Sequence, residues 1–217
     1  MTENFPPQNF RRQDESPDES FYAQPRFVTH IDDRAIAAVT QLYREYFLPG
    51  GSVLDLMSSW ISHLPEEVEY GRVVGLGMNE AELSRNPLLS EYMVRNLNEN
   101  PALPFGDGEF DGSGICVSID YLTRPVAVLR EVNRVLKPGA PLVVTFSNRC
   151  FPTKAVAVWH TLDDTGHVRL VSSYFAEAGF TDVEGLDRSP RRMFSDPLYA
   201  VVGRSSRLPE NPERKGL

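Results

Sequence analysis

The side chains able to do chemistry sit in a few short stretches, each placed just behind an apolar run. Asp55 stands at the end of SVLDL (52–56), and Met57-Ser58-Ser59 follow it, so one carboxylate is trailed by two hydroxyls that can donate or accept. Behind GICVSI (114–119) comes Asp120-Tyr121, a pair able to orient or deprotonate a bound group. Behind PLVVTFS (141–147) comes Asn148-Arg149-Cys150, where Arg149 suits a carboxylate or a phosphate. Cys150 has no base near it in sequence and is not read as a nucleophile. His30, His63, His160 and His167 are scattered and do not approach metal-ligand spacing, so no metal site is expected.

The elements that must position these residues can be read from periodicity. Asp32 is a good N-cap for a helix running to about Phe47, with Ala35, Val39, Leu42 and Tyr43 recurring on one face and Pro49-Gly50-Gly51 ending it. A second helix spans 125–136, with Pro125 in its first turn and Pro138-Gly139 as its stop. A third runs over HVRLVSSYFAEAG (167–179). Strands are expected at 52–56, 72–77, 91–97, 114–119, 141–147, 181–186 and 198–204. Strands alternating with helices at this spacing predict a Rossmann-like α/β fold, a three-layer sandwich around a mostly parallel seven-stranded sheet.

Composition sets the outer limits. A chain of 217 residues that is 41% hydrophobic and 24% charged suits one ordinary globular domain. No apolar run reaches the roughly 20 residues of a membrane span, and the polar N-terminus has no signal-peptide h-region, so a cytoplasmic protein with no membrane partner is expected. Two cysteines, Cys116 and Cys150, are too few for a disulfide framework. A net charge of −8 argues against a nucleic-acid surface. Residues 1–20 are rich in Pro, Asp, Glu, Asn and Ser and are expected to be a disordered arm. The folded domain is then 21–203, followed by a flexible tail over 204–217.

The middle of the chain resembles a known family. LPFGDGEFD (103–111), a strand, then LREVNRVLKPGAPLVVTFS (129–147) and YFAEAGF (174–180) resemble the class I S-adenosylmethionine-dependent methyltransferases, in particular the quinone C-methyltransferase-like group. The resemblance implies S-adenosyl-L-methionine as cofactor, bound where the strands end, and methyl transfer to a small-molecule acceptor. It places the amino-acid end of the cofactor at Asp55, Leu56, Met57, Ser58 and Ser59, with Asp55 meeting the amino group and the serines adding hydrogen bonds. It places the ribose near Gly77, Met78 and Asn79, and the adenine near Asn96 and Leu97. Ser118, Asp120 and Tyr121 fall where the methyl group faces the acceptor. Tyr22, Phe27 and His30 are expected in a lid over the acceptor, with Arg149 on the substrate side.

Two departures from the family pattern stand out. The loop after the first strand has Met57, Ser59 and Ile61 where the family has glycines, which allow close backbone approach and positive φ. After the second strand, Gly77 replaces the carboxylate that holds the ribose hydroxyls. These losses support an alternative, a methyltransferase-like domain without catalysis that serves in binding or regulation. A Rossmann domain for another nucleotide such as NAD ranks last, since it needs the same glycines and acid.

Overall fold

The computed structural model describes residues 5–191 and 193–206. Its seven strands are β1 (Ser52–Ser58), β2 (Arg72–Gly77), β3 (Glu91–Val94), β4 (Gly112–Cys116), β5 (Pro141–Phe146), β6 (Phe180–Asp187) and β7 (Tyr199–Ser205). They form one sheet in the order β3-β2-β1-β4-β5-β7-β6. β1 to β5 are parallel, and β7 enters antiparallel between β5 and β6. The helices are α1 (Asp18–Tyr22), α2 (Asp33–Tyr46), α3 (Glu80–Leu83), α4 (Pro125–Val135) and α5 (Asp164–Glu177). The three-layer α/β architecture is the one expected.

Side-chain alternation divides the two faces. Val53, Val73 and Val143 point to one face, where Val39, Leu42 and Tyr43 of α2 cover them. Leu54, Val74 and Val144 point to the other, against Val128, Leu129 and Val132 of α4 and Val171 and Phe175 of α5. Each fully buried Val, Leu or Phe here contributes roughly 1.5–3 kcal/mol. The Asp32 side chain accepts from the Arg34 and Ala35 amides at 3.0 and 2.8 Å, which sets the start of α2 as expected. The helix expected at 167–179 begins earlier, because Asp163 caps it by accepting from the Gly166 amide.

The N-terminal arm differs from expectation. From residue 5 onward it folds onto the domain: Phe5 and Phe10 pack on Tyr174, and Arg12 pairs with Asp18 at 2.6 Å. Lys154, fully buried, reaches the Asp14 and Asp18 carboxylates and donates to the Ser16 carbonyl at 2.7 Å. Its polar composition suggested a solvated chain, but the charges are matched to partners distant in sequence. At the other end, β7 carries the expected tail boundary on to Ser205, and residues 207–217 lie outside the described residues. No helix among the described residues is long and apolar enough to cross a membrane.

Candidate functional site

The strand order reverses at β1, which has β2 on one side and β4 on the other, and a crevice opens beyond their carboxyl ends. A cavity of about 150 Å³ lies there. Its floor comes from β1: Asp55, Met57 and Ser58 line it. β1 carries a bulge between Leu56 and Ser58, so Ser58 rather than Met57 stands opposite Gly77. Met57 adopts φ 58°, the left-handed region that glycine takes most easily. The bulge also explains Gly77: a Cβ there would lie 2.2 Å from the Ser58 carbonyl oxygen. The missing glycine in the first loop and the missing acid after β2 are thus two sides of one backbone arrangement.

Asp55 is buried, and both of its hydrogen bonds, from the Ser58 and Ser62 hydroxyls, fall on Oδ2. Burial pushes its carboxyl up to about 6, and the two serines oppose that rise. Asn86 donates to the Ser62 hydroxyl at 2.8 Å and to the Ser59 carbonyl at 3.0 Å, which ties this turn together without a helix. The Ser59 hydroxyl donates to Glu82 at 2.6 Å. Both serines expected to meet a ligand therefore act first on carboxylates of the chain itself.

The other wall is α1 and the strap that follows it. Asn79 caps α3 through its Oδ1 and donates from Nδ2 to the Tyr22 and Ala23 carbonyls at 2.8 and 3.2 Å. Asn96 donates to Glu19 at 2.6 Å, and Asn98 donates to Asp18 at 2.9 Å. The Arg26 amide donates to Glu82 at 2.7 Å. The side chains expected to read a ribose and an adenine thus bind the strap. Tyr22, His30, Phe151 and Tyr121 close the remaining side, with ring centroids 5.1 Å apart for His30–Phe151 and 5.7 Å for Tyr121–Phe151.

Most of the expected residues do line this cavity: Asp55, Met57, Ser58 and Ser59 from β1, Gly77, Met78 and Asn79 after β2, Asn96 and Leu97 after β3, and Tyr22, His30 and Tyr121. Five do not. Leu56 is fully buried in the core, since alternation along β1 points it away from the crevice. Ser118 and Asp120 are buried behind the wall, and Ser118 Oγ and Asp120 Oδ2 have no partner. Burial pushes Asp120 up to about 8. Phe27 lies exposed against Trp60 and under the Arg85 guanidinium. Arg149 pairs with Asp196 at 2.8 Å.

Sequence reasoning missed Arg26, Trp60, His63, Glu82, Arg95 and Phe151, all of which line the cavity. His63 lies in an irregular Pro-containing connection where no periodicity marks it. Its Nδ1 is buried without a partner, and burial with His30 nearby lowers its pKa to about 4, so the imidazole is neutral. Burial, then the Asp120 charge, raises Tyr121 well above the usual phenol range, so it is a proton donor and not a base. Its oxygen accepts from the Phe151 amide at 2.8 Å. Among the described residues no group of three or more His, Cys, Asp or Glu is placed to hold a metal ion.

A family model described as a methyltransferase domain matches residues 58–144. The ubiquinone/menaquinone biosynthesis C-methyltransferase of Shewanella sp. strain ANA-3 is 37% identical over 108 residues, which cover 44% of this chain and 42% of that protein. The middle of the chain is thus similar to known methyltransferase domains. The match spans less than half the length of these curated relatives. The fold is shared with a solved S-adenosylmethionine-dependent methyltransferase of Archaeoglobus fulgidus, at TM-score 0.59, 15% identity and coverage of 79% of this chain and 94% of that one. It is shared equally with the cyclase SpnF, at TM-score 0.60, 17% identity and coverage of 86% and 91%. Another solved structure of this fold, phosphoethanolamine N-methyltransferase 2 of Haemonchus contortus, is in complex with S-adenosyl-L-methionine, at TM-score 0.59, 12% identity and coverage of 81% of this chain and 53% of that one. Asp55 lies toward the carboxyl end of β1, with Oδ1 left clear of both serine bonds.

Proposed function

We propose that the chain binds S-adenosylmethionine beyond the ends of β1, β2 and β3 and catalyses methyl transfer to a small-molecule acceptor. The observation that carries this reading is Asp55: a buried carboxylate, anchored through one oxygen, facing a cavity at the switch point of the sheet. A buried anion without an ion-pair partner is costly, and an ammonium group on a ligand would relieve that cost. When bound, S-adenosylmethionine supplies a methyl group already activated on a sulfonium.

The chain's own part is binding, orientation and exclusion of water. Ser58 and Ser62 hold the Asp55 carboxylate at a fixed angle, and Asn86 fixes Ser62 in turn. Asn79 and Asn96 face the cavity and can exchange their bonds to the strap for bonds to the cofactor's polar edges. The Tyr121 hydroxyl keeps its proton and orients an acceptor by donation. Tyr22 and Phe151 keep the acceptor dry. Calorimetry with S-adenosylmethionine and S-adenosylhomocysteine tests this reading; absence of heat at near-millimolar ligand would defeat it.

One observation favours a second reading. The Asn79 and Asn96 amides are satisfied by residues 19–23 of the chain itself. A domain whose own strap permanently fills these bonds is a methyltransferase-like binding or regulatory module without catalysis. Cofactor binding together with turnover on any acceptor excludes it.

A further inference from the structure

Three carboxylates and two guanidinium groups line the cavity, and their partners are unequal. Asp18 is matched by Arg12, Lys154 and Asn98. Glu82 accepts from the Ser59 hydroxyl and the Arg26 amide. Asp55 holds its two serines. Arg26 and Arg95 form no ion pair with any described carboxylate, and Arg95 Nε is buried without a partner.

Arg26 is the better placed of the two for a substrate. Its guanidinium donates to the Phe21 carbonyl at 2.9 Å and, more weakly, to the Gln24 carbonyl at 3.4 Å. It lies 4.6 Å from the Phe21 ring centroid and 5.2 Å from that of Phe151. The rings spread the face of the guanidinium and hold it in place, and its unused N–H groups remain in the plane of the fork. The same rings continue edge-to-face into Tyr22 and His30, and Tyr121 lies tilted by 32° to Phe151, so an aromatic wall adjoins the charge. A planar fork beside an aromatic wall matches a ring that bears a carboxylate.

We propose that Arg26 recognises a carboxylate, and that this carboxylate belongs to the methyl acceptor, an aromatic acid whose ring lies against Phe151 and Tyr121. The inference rests on the cofactor reading above only for the reaction; recognition of the acid stands apart from it. The cofactor's own amino-acid carboxylate is the other source of the same chemistry, and the test separates the two.

The experiment is calorimetric titration of the full chain with 4-hydroxybenzoate and with its methyl ester, each with and without saturating S-adenosylhomocysteine. The acid is expected to bind at least about tenfold more tightly than the ester, the worth of a charge-assisted fork. In Arg26→Gln that preference should shrink to within about twofold, and Arg26→Lys, which keeps the charge without the fork, should fall between. A thermal melt confirms that each variant folds. Equal binding of acid and ester by the wild type overturns the proposal, as does failure of both to bind. A loss in Arg26→Gln confined to S-adenosylhomocysteine assigns the residue to the cofactor and also overturns it. If S-adenosylhomocysteine does not bind at all, the cofactor reading fails, while the acid-versus-ester comparison still decides Arg26.

Discussion

At Asp55, burial and hydrogen bonding pull in opposite directions, and burial prevails, leaving a carboxyl that titrates near 6. Only the ionised form can pair with an ammonium group. Affinity for S-adenosylhomocysteine should therefore fall as pH drops through about 6, and calorimetry at pH 5, 6 and 7.5 reads the slope. Asp55→Asn should bind at least about tenfold more weakly at pH 7.5, with little pH dependence left. A slope retained in that variant would assign the titration to another group. Asp120 gives the converse case, a buried carboxylate with an unpartnered oxygen, pushed up to about 8. Its proton is held more tightly folded than unfolded, so its contribution is fully present below the unfolded value of 3.8 and is lost as pH rises through about 8. Asp120→Asn cannot ionise. It should be more stable than the wild type by on the order of 1–3 kcal/mol at pH 8.5 and show no such gain at pH 4, as urea unfolding at both pH values would reveal.

Among the elements, the strands and the helices that cover them were legible because each repeats its apolar residues at its own period. The end of β4 was not: its apolar run continues to Ile119, but Val117 turns to φ 42° and stops the strand at Cys116. The bulge in β1 was equally hidden, although Met57 and Gly77 were visible as departures from the family pattern. The N-terminal arm was misread because composition reports how polar a segment is and not whether its charges find partners. Lys154 is the clearest instance, an ammonium group fully buried beneath Asp14, Ser16 and Asp18. Lys154→Met removes the cation and leaves two carboxylates facing its stem. That change should cost about 3–5 kcal/mol of stability, the usual result of removing one partner from a buried pair. Trypsin should also cut after Arg11 or Arg12 under conditions where the rest of the domain resists. Equal cleavage of variant and wild type would show that the arm is held by its aromatic contacts alone.

For the molecule as a whole, the sheet and the strap share one crevice, and a ligand must be accommodated by both. A cofactor that binds only the folded state, at a hundredfold above its Kd, adds about 2.7 kcal/mol to stability. For a domain of this size that is a rise of about 5–10 °C in Tm. Where the added protection appears depends on what the strap does. If the cofactor takes over Asn79 and Asn96, the carbonyls of Tyr22 and Ala23 and the carboxylate of Glu19 lose their donors. Amides of α1 and of Arg26 should then exchange with deuterium faster, while those of β1 and β2 slow. If the strap instead closes over the cofactor, both sets slow together, and the asparagines keep their present bonds. A melt that does not move with S-adenosylhomocysteine, and exchange rates unchanged throughout, would leave the strap as a permanent filling of the crevice and favour the module without catalysis. The scaffold is the same in all three cases, so the distinction lies in whether a few side-chain amides can change partners.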